Sequence, residues 1–332
     1  MKSSTPPEAW AALAHHGGDL AAARRLFPDA PQPWIDLSTG VNPRAYPLPE
    51  IAPEAFTRLP DAGALGRLEA VAAARYRARG ETIAAPGSQA IIQTLARLIP
   101  ARRVGALGAT YQGHARAWPV EVERVDRLED LADFDVAIVV NPNNPDGRIV
   151  PAAALLELAA RMAPRVLVVD EAFADFDAAE ESLAPTLPDR GAIVLRSFGK
   201  TYGLAGVRLG FAIAGADWAG PLRAALGPWA VSGPAIEAGL AALADAAWFE
   251  AARARVAAEA ARLDGLLAAR GWRVIGGTKL FRLAERADAG EAFLALSRAG
   301  ILARPFADAP NRLRFGLPPD EAAWGRLRRA AG

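Results

Sequence analysis

Short apolar runs at residues 103–107, 135–140, 165–169, 192–195 and 209–214 constrain this chain more than any other feature. The run at 135–140 is the clearest, because apolar residues follow one another there without the polar alternation of a strand that has one wet face. Such a run is a strand buried on both sides, and strands of that kind belong to a mostly parallel sheet covered by helices. A further strand is expected at 120–125. Helical spacing fills the gaps: Leu65, Leu68, Val71, Ala72 and Tyr76 share one face, with Gly80 as the stop. Residues 90–99, 111–118 and 152–162 read the same way. Strands alternating with helices make an α/β chain with crossover connections.

At 332 residues the chain exceeds the usual size of one domain, which predicts a large domain with a smaller one. Prolines crowd residues 28–60, so residues 1–60 read as an extended arm with one short helix at 19–27. Residues 234–270 are almost all helix formers, with interruptions expected at Gly239 and Gly265. Beyond them, strands at 272–275, 279–283, 301–304 and 313–315 and helices at 290–298 and 321–331 form a small α+β domain. The expected division is therefore an N-terminal arm, 1–45, packing with the small domain; a large domain, 46–230; and linking helices with the small C-terminal domain, 231–332.

The 38 basic and 37 acidic side chains leave a net charge of +1, which gives no electrostatic case for binding nucleic acid or an anionic membrane. There is no cysteine, so disulfides, thiolate catalysis and cysteine-ligated metals are excluded, and a reducing compartment fits. With only His15, His16 and His114, no histidine-rich metal site is expected. Residues 1–10 lack the apolar core of a signal peptide, and no run approaches the roughly 18 apolar residues of a membrane helix. The expected location is the cytoplasm.

Between the runs at 192–195 and 209–214 lies Arg196-Ser-Phe-Gly-Lys-Thr-Tyr-Gly-Leu-Ala-Gly-Val-Arg-Leu-Gly210, read as a loop carrying Lys200. A lone lysine in a loop is a solvated charge. Here Ser197 precedes it by three residues and Arg208 follows by eight, a compact donor and a planar cationic fork suited to one phosphate. An amine held among cations becomes a usable nucleophile toward a carbonyl compound. Phosphate and aldehyde on one small molecule point to pyridoxal 5'-phosphate (PLP). The turn at Gly87 and Ser88, opening a helix, offers backbone N–H groups to an anion, a weak signal by itself. The polar turn Asn141-Pro-Asn-Asn-Pro-Asp-Gly147 is too elaborate for a mere reversal, and Asp170 stands where open α/β sheets place their ligands. His16-Gly17-Gly18-Asp19 and Asp36-Leu-Ser-Thr-Gly-Val-Asn42-Pro43 are either turns or parts of a site.

With Asn144, Asp170, Ser197, Lys200 and Arg208 in this order, the chain resembles the fold-type I PLP enzymes over nearly its whole length. It is similar to the class I/II aminotransferases, within them to the histidinol-phosphate aminotransferase branch, and there to the threonine-phosphate decarboxylases of cobalamin biosynthesis. The closer likeness rests on His16-Gly17-Gly18-Asp19, residues 36–43 and Asp170-Glu-Ala-Phe173. The resemblance implies a large domain with a mostly parallel seven-stranded sheet between helices, a small α+β domain, an N-terminal arm and a homodimer. It makes Lys200 the catalytic Schiff-base lysine, Asp170 the partner of the pyridine nitrogen and Asn144 a ligand of the ring hydroxyl. Ser197, Arg208, Gly87 and Ser88 would cradle the phosphate. Tyr111 is either the aromatic that stacks on the ring or an ordinary packed tyrosine. Arg314 resembles the clamp of a substrate α-carboxylate and Arg304 a second anion ligand that would act with His16, Gly17 and Asn42; the other reading of both arginines is a surface role. Two positions depart from the pattern: Phe173 stands where these aminotransferases usually have tyrosine, and Leu59 where the branch commonly has one that reaches the neighbouring subunit's cofactor.

The implied activity is decarboxylation of L-threonine O-3-phosphate to (R)-1-amino-2-propanol O-2-phosphate. The alternative is transamination of histidinol phosphate or a similar phosphorylated amino compound, and no motif encodes the choice. A non-catalytic PLP-binding module is a third reading. A nucleotide-binding α/β protein is a fourth, for which no glycine-rich fingerprint follows a strand.

Overall fold

The computed structural model of the chain describes residues 8–15 and 17–330. Its strands are β1 (Ile35–Leu37), β2 (Glu81–Ala85), β3 (Val104–Leu107), β4 (Val122–Val125), β5 (Val136–Val140), β6 (Val166–Asp170), β7 (Ala192–Ser197) and β8 (Gly210–Ala214). Four more follow: β9 (Arg273–Thr278), β10 (Phe281–Glu285), β11 (Ile301–Pro305) and β12 (Arg312–Gly316). Two compact units result, one of Ala45–Glu250, the other of the described residues in Met1–Arg44 with those in Ala251–Gly332.

The first unit is built on a seven-stranded sheet in the order β2-β8-β7-β6-β5-β3-β4. From β7 to β4 the pairs are parallel, and β8 runs antiparallel to both β7 and β2. Every residue of β5 and β6 is buried, and the reason is visible in where their side chains go. Ala137, Val139, Leu167, Val169 and Val194 enter one apolar layer with Leu155, Leu158 and Met162 of the helix Ala152–Met162. Ile138, Val166, Val168, Ile193 and Leu195 enter the opposite layer with Ile91, Ile92 and Leu95 of the helix Ser88–Leu98. Burying one such side chain contributes roughly 1.5–3 kcal/mol.

Several local expectations are corrected. The helix Ala62–Tyr76, capped by Asp61 accepting from the Gly63 and Ala64 N–H groups, stops at Arg77 in the left-handed region, not at Gly80. Gly80 instead lets two backbones pass: a Cβ there would lie 2.5 Å from the Ala214 carbonyl oxygen. The stretch 234–270 is broken at neither Gly239 nor Gly265. It forms two helices, Gly233–Ala244 and Ala246–Ala268, parted at Asp245, whose carboxylate accepts from the Trp248 N–H at 2.9 Å. Gly239 lies inside the first, where a Cβ would meet Leu68 at 2.6 Å and Leu209 at 2.7 Å, so it is a contact position against Ala62–Tyr76. The helix Ala216–Leu226 carries no sequence signal of its own because Gly220 and Pro221 interrupt its pattern. Arg223 holds it, donating to both oxygens of Glu69 at 2.9 Å.

The second unit has a five-stranded sheet in the order β1-β11-β12-β10-β9, antiparallel except that β1 lies parallel to β11. Residues read as an extended arm thus supply an edge strand, with Ile35 opposite Ile301. No helix among the described residues is long and apolar enough to cross a membrane.

Candidate active site

The carboxyl ends of β6 and β7 deliver the central groups of the first unit. Asp170 closes β6 opposite Leu195 and is buried. Its Oδ1 accepts from the Ala172 N–H at 3.1 Å, and its Oδ2 lies 2.8 Å from His114 Nε2, also buried. β7 ends at Ser197, and Lys200 then sits on a single helical turn, Phe198–Thr201, rather than in an open loop. The turn closes because the Tyr202 N–H reaches the Phe198 carbonyl at 3.2 Å. Gly199 permits it, since a Cβ there would stand 2.7 Å from Ala205 Cα. Arg208 has φ +57° and an exposed side chain whose Nη1 donates to the Ala205 carbonyl at 3.0 Å.

The helix Ser88–Leu98 starts beside these groups because two glycines allow it. Gly87 has φ +89°, and a Cβ on it would lie 2.9 Å from Arg208 Nη2. A Cβ on Gly210 would lie 2.5 Å from Ser88 N. Tyr111 donates from its hydroxyl to Gln89 Oε1 at 2.9 Å, and Gly113 makes room for its ring. In the turn 141–147, Asn141 exchanges hydrogen bonds with the Val150 backbone, and Asn143 donates to the Ala109 carbonyl and Asp146. These two staple the turn and leave Asn144 to the cleft.

Gly87, Ser88, Tyr111 and Asn144 line one cleft of about 190 Å³ together with Asp170, Ser197, Lys200 and Arg208. Phe173 also lines it, its ring centre 5.5 Å from Lys200 Nζ. A carboxylate, an amine, an aromatic wall and a cationic end with backbone N–H groups are the set that a protonated pyridine ring bearing an aldehyde and a phosphate requires. The Gly87 cradle, which a Cβ would fill, adds a steric fit. His114 escaped the sequence reading; its signal was the three-residue spacing from Tyr111, which places both on one face of the short helix Gln112–Ala117 and its cap.

In the second unit Arg304 of β11 and Arg314 of β12 stand directly opposite each other and are 8% and 6% exposed. Like charges so placed repel unless an anion or dipoles lie near. Arg314 Nη2 donates to the Ser38 carbonyl at 2.6 Å, while Arg304 donates to the carbonyls of Leu13 and His15 at 3.2 and 3.1 Å. Burial first, and then the Arg304 charge, bring the Arg314 pKa down to about 9, against the opposing pull of Asp36. Asn42 is buried, its side-chain oxygen accepting from the Arg44 N–H at 3.1 Å. Gly17 packs on Ser38, where a Cβ would lie 2.5 Å from its carbonyl oxygen, and the Gly18 N–H donates to the Ser38 hydroxyl at 2.7 Å. The two motifs of the arm therefore meet. Asp19 caps the helix Leu20–Leu26. His16, the remaining expected substrate ligand, lies outside the described residues.

Residues 34–324 match the family described as aminotransferase class I and II. The chain belongs to that family. Within it, the threonine-phosphate decarboxylase of Pseudomonas aeruginosa is 42% identical over 323 residues, covering 95% of this chain and 96% of the relative. The threonine-phosphate decarboxylase of a Sinorhizobium species is 42% identical over 328 residues, covering 94% and 96%. Histidinol-phosphate aminotransferase from Sinorhizobium meliloti, solved in complex with PLP, superposes with a TM-score of 0.73 at 20% identity, covering 94% of this chain and 93% of that structure. This member of the family thus has the fold-type I architecture, a largely parallel seven-stranded sheet within an α/β chain, and PLP is its cofactor.

Proposed function

We propose that the protein decarboxylates L-threonine O-3-phosphate to (R)-1-amino-2-propanol O-2-phosphate in cobalamin biosynthesis, as a cytoplasmic homodimer. The observation that carries this reading is the 42% identity, along nearly the whole of both chains, to two proteins named threonine-phosphate decarboxylase. The site supplies matching chemistry. When bound, PLP accepts the electron pair released as a bond to the substrate Cα breaks. Asp170, oriented by His114, keeps the pyridine nitrogen protonated. Lys200 would hold the cofactor through its amine and would carry the proton that replaces the lost carboxylate at Cα. Ser197, Arg208 and the backbone around Gly87 and Ser88 would hold the cofactor phosphate, Asn144 would hold the ring hydroxyl and Tyr111 would wall the ring. Phe173 offers no hydroxyl to that ring, which removes one hydrogen bond that would tune it. Arg314 binds the substrate carboxylate, and Arg304 with His16, Gly17 and Asn42 takes the substrate phosphate.

The homodimer is supported by an exposed apolar cleft that Phe56, Leu59 and Trp229 share, with Phe56 67% and Leu59 69% exposed. A chain without cysteine suits the reducing cytoplasm. Incubating the PLP-loaded enzyme with L-threonine O-3-phosphate should release CO2 and the amino alcohol phosphate. Absence of CO2, with glutamate formed from histidinol phosphate and 2-oxoglutarate or its reverse, would assign transamination instead. Lys200→Ala should lose the lysine-linked absorption band.

A further inference from the structure

Beneath the turn that bears Lys200 lies a group of charged side chains that the chemistry above leaves unused. β7 turns Ser197 toward the cleft, so its neighbour Arg196 points to the opposite face, into the layer that also receives Val194. Arg196 is 4% exposed. A guanidinium so placed is tolerated only with partners of opposite charge. Glu171 Oε2 lies 3.5 Å from its Nε, Asp175 Oδ1 lies 3.2 Å from its Nη1, and the Tyr76 ring centre is 4.6 Å from its Cζ. Two acids against one base leave carboxylate oxygens that require further donors in an apolar layer. Glu171 takes them from the Ser182 hydroxyl and the Leu183 N–H, both at 2.7 Å. Asp175 takes its donor from the Thr201 hydroxyl at 2.6 Å, and Thr201 is the residue after Lys200.

The placement of Asp175 gives this bond its meaning. Asp175 belongs to the helical turn Ala174–Asp177, which the chain enters directly from Asp170 and Phe173. Thr201 closes the turn Phe198–Thr201, which the chain enters from β7. Strand pairing sets Asp170 opposite Leu195, and the Glu171 N–H still reaches the Leu195 carbonyl at 2.9 Å; past that bond β7 pairs only with β8, as far as Ser197, so the ladder no longer holds the two connections to each other. The Thr201 hydroxyl rejoins them on the side of Arg196, in a part-buried bond whose donor, Thr201, is 1% exposed. We propose that Thr201 and Asp175, anchored by Arg196, are positioning residues whose hydrogen bond sets the height and rotation of the Lys200 turn relative to Asp170.

This inference rests on Lys200 being the cofactor-bearing lysine, and the test separates the two. Thr201→Val keeps the side-chain shape and removes the donor, whereas Thr201→Ser keeps the donor. Both are prepared as PLP-loaded enzyme, and two readouts are taken: the visible circular dichroism of the bound cofactor, and kcat and KM for CO2 release from L-threonine O-3-phosphate. Misplacement of the amine by a fraction of an ångström should lower kcat of Thr201→Val by on the order of 10- to 100-fold while weakening the dichroic band. KM should stay within about twofold, since substrate anchors are untouched, and Thr201→Ser should restore both readouts. A Thr201→Val enzyme with wild-type kcat and dichroism but a lower melting temperature would overturn the proposal, as would a Thr201→Ser enzyme that fails like Thr201→Val. If Thr201→Val does not fold, Asp175→Asn decides in the same way: a weakened band with lowered kcat supports positioning, and wild-type values refute it. Lys200→Ala serves as the control. Its retention of the lysine-linked band would refute the reading of Lys200 itself, whereas its loss beside a wild-type Thr201→Val would refute the positioning role alone.

Discussion

Gly210→Ala should damage the cofactor site through a single methyl group. The Cβ would stand 2.5 Å from Ser88 N and 2.9 Å from both the Arg196 carbonyl oxygen and Gly87 C, where ordinary contact begins at 3.4 Å. All three obstacles are backbone, so no side chain can swing aside, and β8 or the start of the helix Ser88–Leu98 must yield by nearly an ångström. That helix start lines the cleft, at the end proposed to hold the cofactor phosphate. Displacements of that size at a catalytic centre cost on the order of 100-fold in rate, and overpacking of this kind destabilises a fold by about 1–3 kcal/mol. Gly265→Ala is the matched control: it lies inside the helix Ala246–Ala268, a Cβ there would meet nothing within 4 Å, and the change should stabilise by about 0.4–1 kcal/mol. The assay is PLP affinity by titration of the apoenzyme, followed by kcat and the melting temperature. Gly210→Ala with wild-type PLP affinity and kcat would refute the close-approach reasoning, and a Gly265→Ala enzyme as impaired as Gly210→Ala would show that lost glycine freedom, not contact, is the cause.

Replacing His114 with Phe removes the donor 2.8 Å from Asp170 and should lower kcat by about 10- to 100-fold, in line with the loss of other outer-shell partners, with the lysine-linked band retained. The Arg314 pKa, lowered to about 9 by burial and Arg304, means that the buried cation opposes folding below that pH and that this opposition fades as pH rises from about 9 toward 12.5. Binding of an anion moves the other way: KM for L-threonine O-3-phosphate should rise as pH passes about 9, and the limb should vanish in Arg314→Met, measured as a pH profile of KM. Phe56→Glu combined with Leu59→Glu should convert the proposed dimer to a monomer in light scattering at unchanged secondary structure, since both side chains are exposed on the shared apolar cleft.

The seven-stranded sheet was legible because β5, β6 and β7 are buried on both faces, and burial on both faces writes itself as an unbroken apolar run. The helix Ala216–Leu226 was not, because it is held by groups more than a hundred residues away in the chain, Ala219 and Leu222 packing in the layer of the helix Ser88–Leu98 and Arg223 reaching Glu69, while its own residues include Gly220 and Pro221. Gly239 misled for the same reason: locally it weakens a helix, but across the packing against Leu68 and Leu209 it is the residue that lets two helices close. In the cleft, Lys200, Asp170, Asn144, Ser197 and Arg208 carry chemistry in their types and order, so they could be named before any fold was known. Gln89 and Asp175 could not, and His114 showed only its spacing from Tyr111, since each makes its contact with a residue distant in sequence.

Residue type and local spacing were therefore enough for the α/β class and to single out PLP chemistry with Lys200 as its candidate lysine, because those signals reside in single side chains and short periodic patterns. Folding alone brought His114 behind Asp170, set Arg304 opposite Arg314, and laid Gly18 against Ser38. Those are contacts between segments far apart in the chain, and no local pattern encodes a distance that only strand register and close packing create.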